Sequence, residues 1–549
     1  MATEPAATSL FAPAEPATSP FRSVPNGWRR GTIDQPPVRR REVVAVLLLA
    51  ATCDLTIYRG HGFAGYALLF LLAPVLFACG SFRPRLGTVA WFIGAMLALS
   101  AARLLWCGSE LLVAAGFFLL AAFAMALSGH VPYVAETAVF ASQSIASGYQ
   151  RLIQYARCAT ASSVSRIPFL NFALPLAAFV GFGTVFVLAN PDLLASFSEV
   201  LEQVVKQARE WLLRLSLGET VFWIGAAWVA TGLLLQASRG HAERSEPRNP
   251  PSDGSGEGAE PTATETSRLY PAFRNTLLTV ITLFAVYLVF EFRTLWFREF
   301  PKGFYYSGYA HEGAAWLTFA LALATTVLSL VFRGSVMHDP RLAKLRRLGW
   351  LWSAENFVLA VAVYHRMGIY IDFNGMSPMR MVGLYGMSAV VVGFILVLWK
   401  IGRGRSFGWL VRRQLWTLAI AIYLFALTPV DAIVVEYNVR RILAGDPAAS
   451  VQISVHPIRS EGVLLLRPLL DCDDAIIRSG IQAMLAQREK EAEALDNRRQ
   501  SLGWTAYQLA DRLVLKQLRA EHERWSGYDD EEPREAALKR FHAYAYQWY

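Results

Sequence analysis

Apolar residues in this chain fall in blocks, not in a one-sided stripe. Stretches of about 16 to 23 residues recur at 43–58, 63–79, 86–105, 111–127, 168–189, 219–236, 273–292, 313–332, 350–370, 379–399 and 415–430. At about 1.5 Å per helical residue, such lengths match a hydrocarbon core about 30 Å thick. A helix apolar all round belongs in lipid or in a deep core. The pattern therefore predicts an all-α integral membrane protein with about eleven transmembrane helices.

The polar stretches divide these blocks. Residues 1–42, rich in Pro, Ala, Ser and Thr, cannot build a core and read as a disordered cytoplasmic tail. The tail lacks the charged start and cleavage site of a signal peptide, so the first span is expected to be retained. Residues 43–236 hold helices one to six with amphipathic connecting segments. Of these, 128–166, with Arg151, Arg157 and Arg166, reads as a helix lying along the cytoplasmic face. The segment after Asn190-Pro191-Asp192 reads as a charged helix lying flat on the outer face. Residues 237–268, mostly Gly, Ser, Pro, Glu and Thr, form a flexible cytoplasmic linker. Residues 269–432 carry helices seven to eleven, and 433–549 form a small helical soluble domain. Within it RSEGVLLLRPLLDCDDAIIRSGIQAMLAQR reads as two amphipathic helices around an Asp-rich turn, and 486–500 as a solvated helical run.

Charge then orients the chain. With 54% hydrophobic and 17% charged residues the protein departs from the soluble average of roughly 45–50% and 25%. Its 52 basic and 43 acidic residues give a net charge of +9, which by itself suits nucleic acid. The basic residues instead gather in alternate loops: Arg39 to Arg41, Arg83 and Arg85, Arg341 to Arg347, and Lys400 to Arg413. That is the positive-inside pattern, and it argues against a nucleic-acid partner. It places the amino terminus in the cytoplasm and the carboxyl-terminal domain outside. Trp350, Trp352, Trp399 and Trp416 fall at the inner ends. Five scattered cysteines without a CxxC give no zinc site and no disulfide framework; Cys107 and Cys472 share a compartment and are a conceivable pair.

Candidate chemistry centres on 350–381, WLWSAENFVLAVAVYHRMGIYIDFNGMSPMRM. Ionisable groups inside such a helix cost about 2.5–3.5 kcal/mol each on insertion scales, so they are paired, hydrated or functional. With the topology above, Glu291, His311, Glu312, His365, Arg366, Tyr370, Asp372, Arg380 and Asp431 all come to the outer helix ends. In a functional reading Arg366 and Arg380 clamp an anion. His365, Asp372 and Glu312 then move protons or orient the ligand, with His311 and Tyr370 beside them. The plainer reading makes the same charges interface anchors and structural ion pairs. Glu355, one turn into the inner end, is a secondary intramembrane candidate, expected to bond Asn356 or a neighbouring helix. Asp54 and Arg103 are expected to snorkel. There is no GxxxxGK[ST] loop, no second histidine after HEGAA and no GxSxG. No cofactor and no metal are therefore expected, and the motifs lean away from an enzyme.

Several patterns resemble a bacterial membrane family known only as a domain of unknown function, the 4153/4173 group. Arg366-Met367, Tyr370, Gly375-Met376-Ser377 and Arg380 are similar to its Arg-Met, Tyr, Gly-Leu-Thr and Arg series; YAHEG at 309–313 and DAIVVEYNVRR at 431–441 resemble two further segments. The likeness covers the second half of the chain, with only similar hydropathy before it. It implies a bacterial cytoplasmic-membrane protein without an assigned reaction. The residues at the outer helix ends favour a transporter-like protein with an ion, anion or lipid-headgroup site at the outer ends of helices seven to eleven; the alternatives are a non-catalytic scaffold or sensor whose carboxyl-terminal domain binds an envelope protein partner, and an intramembrane lipid-modifying enzyme. Membrane lipids are partners in all three.

Overall fold

The computed structural model describes residues 39–82, 84–161, 206, 217–239, 270–293, 306–332 and 339–547. Among these every regular element is helical. The expected fifth span, nearly all of 190–216 and all but the first residues of the linker lie outside the described residues.

The first helix group comprises α1 (Arg40–Cys53, continued by a π-helical turn Asp54–Tyr58), α2 (Phe63–Gly80), α3 (Thr88–Trp106), α4 (Glu110–Leu127), α5 (Val134–Ala161) and α6 (Leu217–Arg239). Helix α1 starts inside the stretch expected to be a disordered tail. Glu42 stands in its first turn, where a carboxylate suits the helix dipole, and is buried against Arg151. Helix α5 forms within the stretch expected to be amphipathic. It packs on α6, where Gly148 and Gly232 allow close approach: a Cβ on Gly148 would lie 3.1 Å from the Gly232 Cα. Its Arg151 is buried, with Nε 3.0 Å from Glu42 Oε1 and Nη2 2.9 Å from Oε2.

The second group comprises α7 (Tyr270–Glu291), α8 (Tyr306–Val331), α9 (Leu342–Asn374), α10 (Pro378–Arg403) and α11 (Phe407–Leu427). Among the described residues seven helices are long and apolar enough to cross a membrane: α2, α3, α4, α6, α7, α10 and α11. Three further expected spans fall on α1, on the apolar stretch Leu317–Val331 of α8, and on α9. In α9 the apolar run is diluted by Glu355, Asn356, His365 and Arg366. Helix α11 joins the two groups: Tyr423 and Ala426 enter the core of the first, and the Tyr423 hydroxyl donates to Met96 O at 2.7 Å.

The basic loops meet at one end of this bundle. Arg39 lies over Phe82, Arg85 N donates to Leu127 O, and Arg412 pairs with Glu136 at 2.6 Å. Lys400 Nζ donates to Ser329 O and Phe332 O at 3.1 and 3.0 Å, placing a cation on the last carbonyls of α8. Arg341 lies over Tyr270.

The opposite end carries α12 (Val430–Leu443), α13 (Ser450–Val455), the helical turns Ser460–Val463 and Leu464–Asp471, α14 (Ala475–Leu502), α15 (Leu509–Ala520) and α16 (Glu531–Tyr546). Leu466, Leu469, Ile477, Ile481, Leu485, Trp525 and Phe541 form their core. Asp474 caps α14 by accepting the Ile476 and Ile477 amides at 2.8 and 3.1 Å, which is the role of the Asp-rich turn. The run 486–500 continues α14. Cys107 and Cys472 are both buried free thiols, so the conceivable pair does not form. The Cys472 thiol faces Asp474 O at 3.5 Å instead.

Candidate functional site

The turn between α9 and α10 is held by side chains from both sides. Helix α9 has 33 residues, about 50 Å at 1.5 Å per residue, and ends at Asn374 because Gly375 adopts φ +79°, a left-handed value that glycine accepts without strain. Ser377 caps α10 with Pro378 in its first turn. Arg380 Nη1 donates back to Gly375 O, and its guanidinium lies 3.7 Å from the Tyr370 ring centroid.

Helix α12 holds this turn from the other side. The buried Asn438 side chain accepts from Met376 N and donates to Met376 O, both at 2.7 Å. Arg441 donates to Ile371 O at 2.9 Å, a carbonyl that also accepts the Gly375 amide at 2.8 Å, and to Asp372 O at 2.5 Å in the last turn of α9, and it pairs with Asp446. A Cβ on Gly375 would come within 2.5 Å of Asn438 Oδ1 and 3.2 Å of Ala449 Cα, so the turn fits only with glycine there.

Arg366, two turns below, is buried and paired. Its Nε donates to Glu291 Oε1 at 2.6 Å and its Nη2 to Oε2, a forked arrangement. The Tyr287 hydroxyl donates to Glu291 Oε2 at 2.9 Å and accepts from Arg366 Nη2 at 3.4 Å. Thus α7 and α9 are locked by a charge pair that only good geometry can stabilise away from water.

The structure brings Arg380 and Tyr370 together and leaves Arg366 in a separate pair one helix away. Asp372 is exposed at the side chain, while its carbonyl serves Arg441. His365 is half-buried on α9. The side chains of His311 and Glu312 lie outside the described residues. Glu355 does not bond Asn356: the Asn356 amide donates to Trp352 O at 2.7 Å, and Glu355 Oε2 makes no hydrogen bond. Among the described residues no group of three or more His, Cys, Asp or Glu is placed to hold a metal ion.

The first group is fastened to the same carboxyl-terminal helices. Arg103 does not snorkel. Its Nη2 pairs with the buried Glu461 Oε2 at 2.6 Å, and its other nitrogens donate to Leu427 O and Cys107 O at 3.1 and 3.2 Å. Burial pushes the Glu461 carboxyl above the usual carboxylate range, with Arg103 pulling the other way. Asp54 pairs with Arg59 at 3.0 Å, and Arg59 also reaches Glu219. The His61 amide donates to Thr505 Oγ1 at 3.1 Å. His456, after α13, is held below the ordinary imidazole value by burial and then by the nearby Arg380 guanidinium.

Asn438, Arg441, Glu461 and His456 were not singled out from the sequence. Tyr437-Asn438 stood within a segment already recognised as family-like, and an asparagine in a buried helix face is a signal for a backbone partner. Glu461 gives no such signal, because its partner lies 358 residues away.

A family model described as a domain of unknown function, DUF4153, matches residues 44–456. The chain belongs to the DUF4153 family. The matched region reaches into the first helix group, beyond the second half where the resemblance was legible. It takes in both sides of the Asn438–Met376 contact and ends at His456, so the Arg103–Glu461 pair joins a residue inside the DUF4153 region to one beyond it. Comparison with curated proteins and with solved structures gave no match.

Proposed function

We propose that this DUF4153 protein is a non-catalytic sensor or scaffold of the bacterial cytoplasmic membrane. About eleven spans cross the bilayer, with the basic loops and amino terminus inside and the carboxyl-terminal domain outside, as the positive-inside rule requires. The domain takes a ligand or an envelope protein partner and passes its state to both helix groups. One observation carries this reading: the domain is tied by buried polar contacts to the turn between α9 and α10 through Asn438 and to α3 through Glu461. Partners that remain buried and fully bonded move as a unit or not at all.

Hydrogen exchange on the full-length protein in nanodiscs tests the relay. Glu461→Gln is expected to speed exchange both in 88–107 and in 430–443. Acceleration confined to 430–443 contradicts it. The transporter-like reading, with an anion at Arg366 and Arg380 and with His365, Asp372, Tyr370, His311 and Glu312 around it, requires Arg366 to exchange Glu291 for the incoming anion. Arg366→Gln together with Arg380→Gln abolishes ligand-dependent stabilisation in that case and leaves it unchanged in the sensor.

A further inference from the structure

The turn joining α10 to α11 carries three arginines, Arg403, Arg405 and Arg413, that make no ion pair among the described residues, although their neighbours are satisfied. Arg412 pairs with Glu136, and Lys400 sits on the carbonyls of Ser329 and Phe332. Rings hold two of the three. The Arg403 guanidinium lies 5.3 Å from the Trp399 ring centroid and that of Arg413 lies 5.9 Å from the Trp409 centroid. The two indoles meet edge to face, with centroids 6.1 Å apart. A guanidinium resting on a ring loses side-chain freedom but keeps N–H groups for a forked bond to a phosphate. These charges are ordered without being neutralised.

The backbone between them is open. Gly404 ends α10 at φ +62°, and a Cβ on Gly402, Gly404 or Gly408 would meet no atom within 4 Å. Ser406 caps α11 by accepting the Trp409 amide at 3.2 Å, so the positive end of that helix dipole points to the same place. Helices α10 and α11 are both long and apolar enough to cross a membrane. Val392, Ile395 and Trp399 on α10, 45%, 52% and 48% exposed, form an outward stripe at helical spacing that reaches Arg403 one turn later. Hydrocarbon along a helix face with bare cations at its water end matches a phospholipid, chain below and phosphate above. A free phosphate has no use for the stripe, and a zwitterionic headgroup would bring a further cation among three arginines. We infer that this turn binds one anionic glycerophospholipid of the adjoining leaflet, its phosphate at Arg403, Arg405 and Arg413 and an acyl chain along Val392 and Ile395. The site is independent of the sensor reading, since nothing in it involves Asn438 or Glu461.

Hydrogen exchange in residues 400–410 reads the site locally. Full-length protein is placed in phosphatidylcholine nanodiscs doped with increasing phosphatidylglycerol. Exchange there is expected to slow at a low phosphatidylglycerol fraction. Arg403→Gln with Arg413→Gln is expected to raise the fraction needed roughly thirtyfold, at about one surface increment per basic residue. Arg405→Gln, whose exposed side chain supports no packing, is expected to raise it about fivefold and decides the matter if the double variant is misfolded. Arg403→Lys with Arg413→Lys keeps the charge and loses the fork, and is expected to fall between wild type and the glutamine pair. Equal exchange in phosphatidylcholine and phosphatidylglycerol, an unshifted Arg405→Gln, or lysine variants indistinguishable from wild type would each overturn the site. Protection by millimolar glycerol 3-phosphate in pure phosphatidylcholine would assign a soluble anion and overturn the lipid.

Discussion

Asn438 and Met376 are joined by two hydrogen bonds of 2.7 Å, the side-chain amide of one reading both backbone groups of the other. The pair links α12 to the turn between α9 and α10, and no other residue type offers a donor and an acceptor at that spacing on so short a stem. Asn438→Ala leaves a buried N–H and C=O without partners and is expected to cost about 2–3 kcal/mol. Asn438→Asp keeps the acceptor for Met376 N but opposes oxygen to Met376 O, so it is expected to be no better than alanine. Thermal denaturation followed by tryptophan fluorescence checks both, and an Asp variant as stable as wild type would remove the clamp.

The Arg366–Glu291 pair is expected to behave as a buried lock. Arg366→Gln or Glu291→Gln alone strands a charge and should cost about 3–5 kcal/mol, while Glu291→Met with Arg366→Met should be near neutral. Denaturant titration of the single and double variants gives the comparison. Additive losses in the double variant would mean that the two side chains act independently.

His456 gives a pH dependence whose sign is fixed. Its folded value is lowered below 6.5 by burial and by Arg380, so the unfolded chain binds more protons just below that value. Stability from this residue is present above about pH 6.5 and lost as pH falls through the folded value. His522 acts in the opposite sense: the Glu489 hydrogen bond raises it, so its contribution is present below 6.5 and lost as pH rises, and its exposure keeps that small. Melting at pH 5.5 and 7.5 is expected to show a smaller difference for His456→Gln than for wild type.

Arg103→Gln leaves Glu461 buried without its cation. The carboxyl, already raised by burial, then has to be protonated to stay inside, so the penalty should grow as pH rises above the usual carboxylate range. Glu461→Gln lacks that dependence. Melting of both variants at pH 5 and pH 8 separates them; parallel shifts would place Glu461 in water.

The helical class, the alternation of basic loops and the stretch 350–381 were legible because lipid imposes its constraint locally, block by block. The turn at Gly375 was legible too, since a glycine before Ser-Pro is local punctuation. What the contacts add is long-range. Arg103 reads as a snorkelling side chain until Glu461 is folded onto it, and the burial of Arg151 against Glu42, 109 residues away, leaves no local mark. Glu291 and Arg366 were both noticed at helix ends, yet only packing of α7 on α9 shows that each is the other's partner. The packing of α5 on α6 was not legible, because an amphipathic stripe is the same whether its apolar face meets lipid or another helix.

The central claim is that the carboxyl-terminal domain sits outside the cell membrane and clamps both helix groups there. In a cysteine-free background, single cysteines at the exposed positions Ala520 and Gly404 are treated in intact cells with a membrane-impermeant maleimide. Labelling of residue 520 at once, and of residue 404 only after permeabilisation, is the expected result. Labelling of 404 in intact cells with 520 protected would contradict the orientation and the proposal built on it.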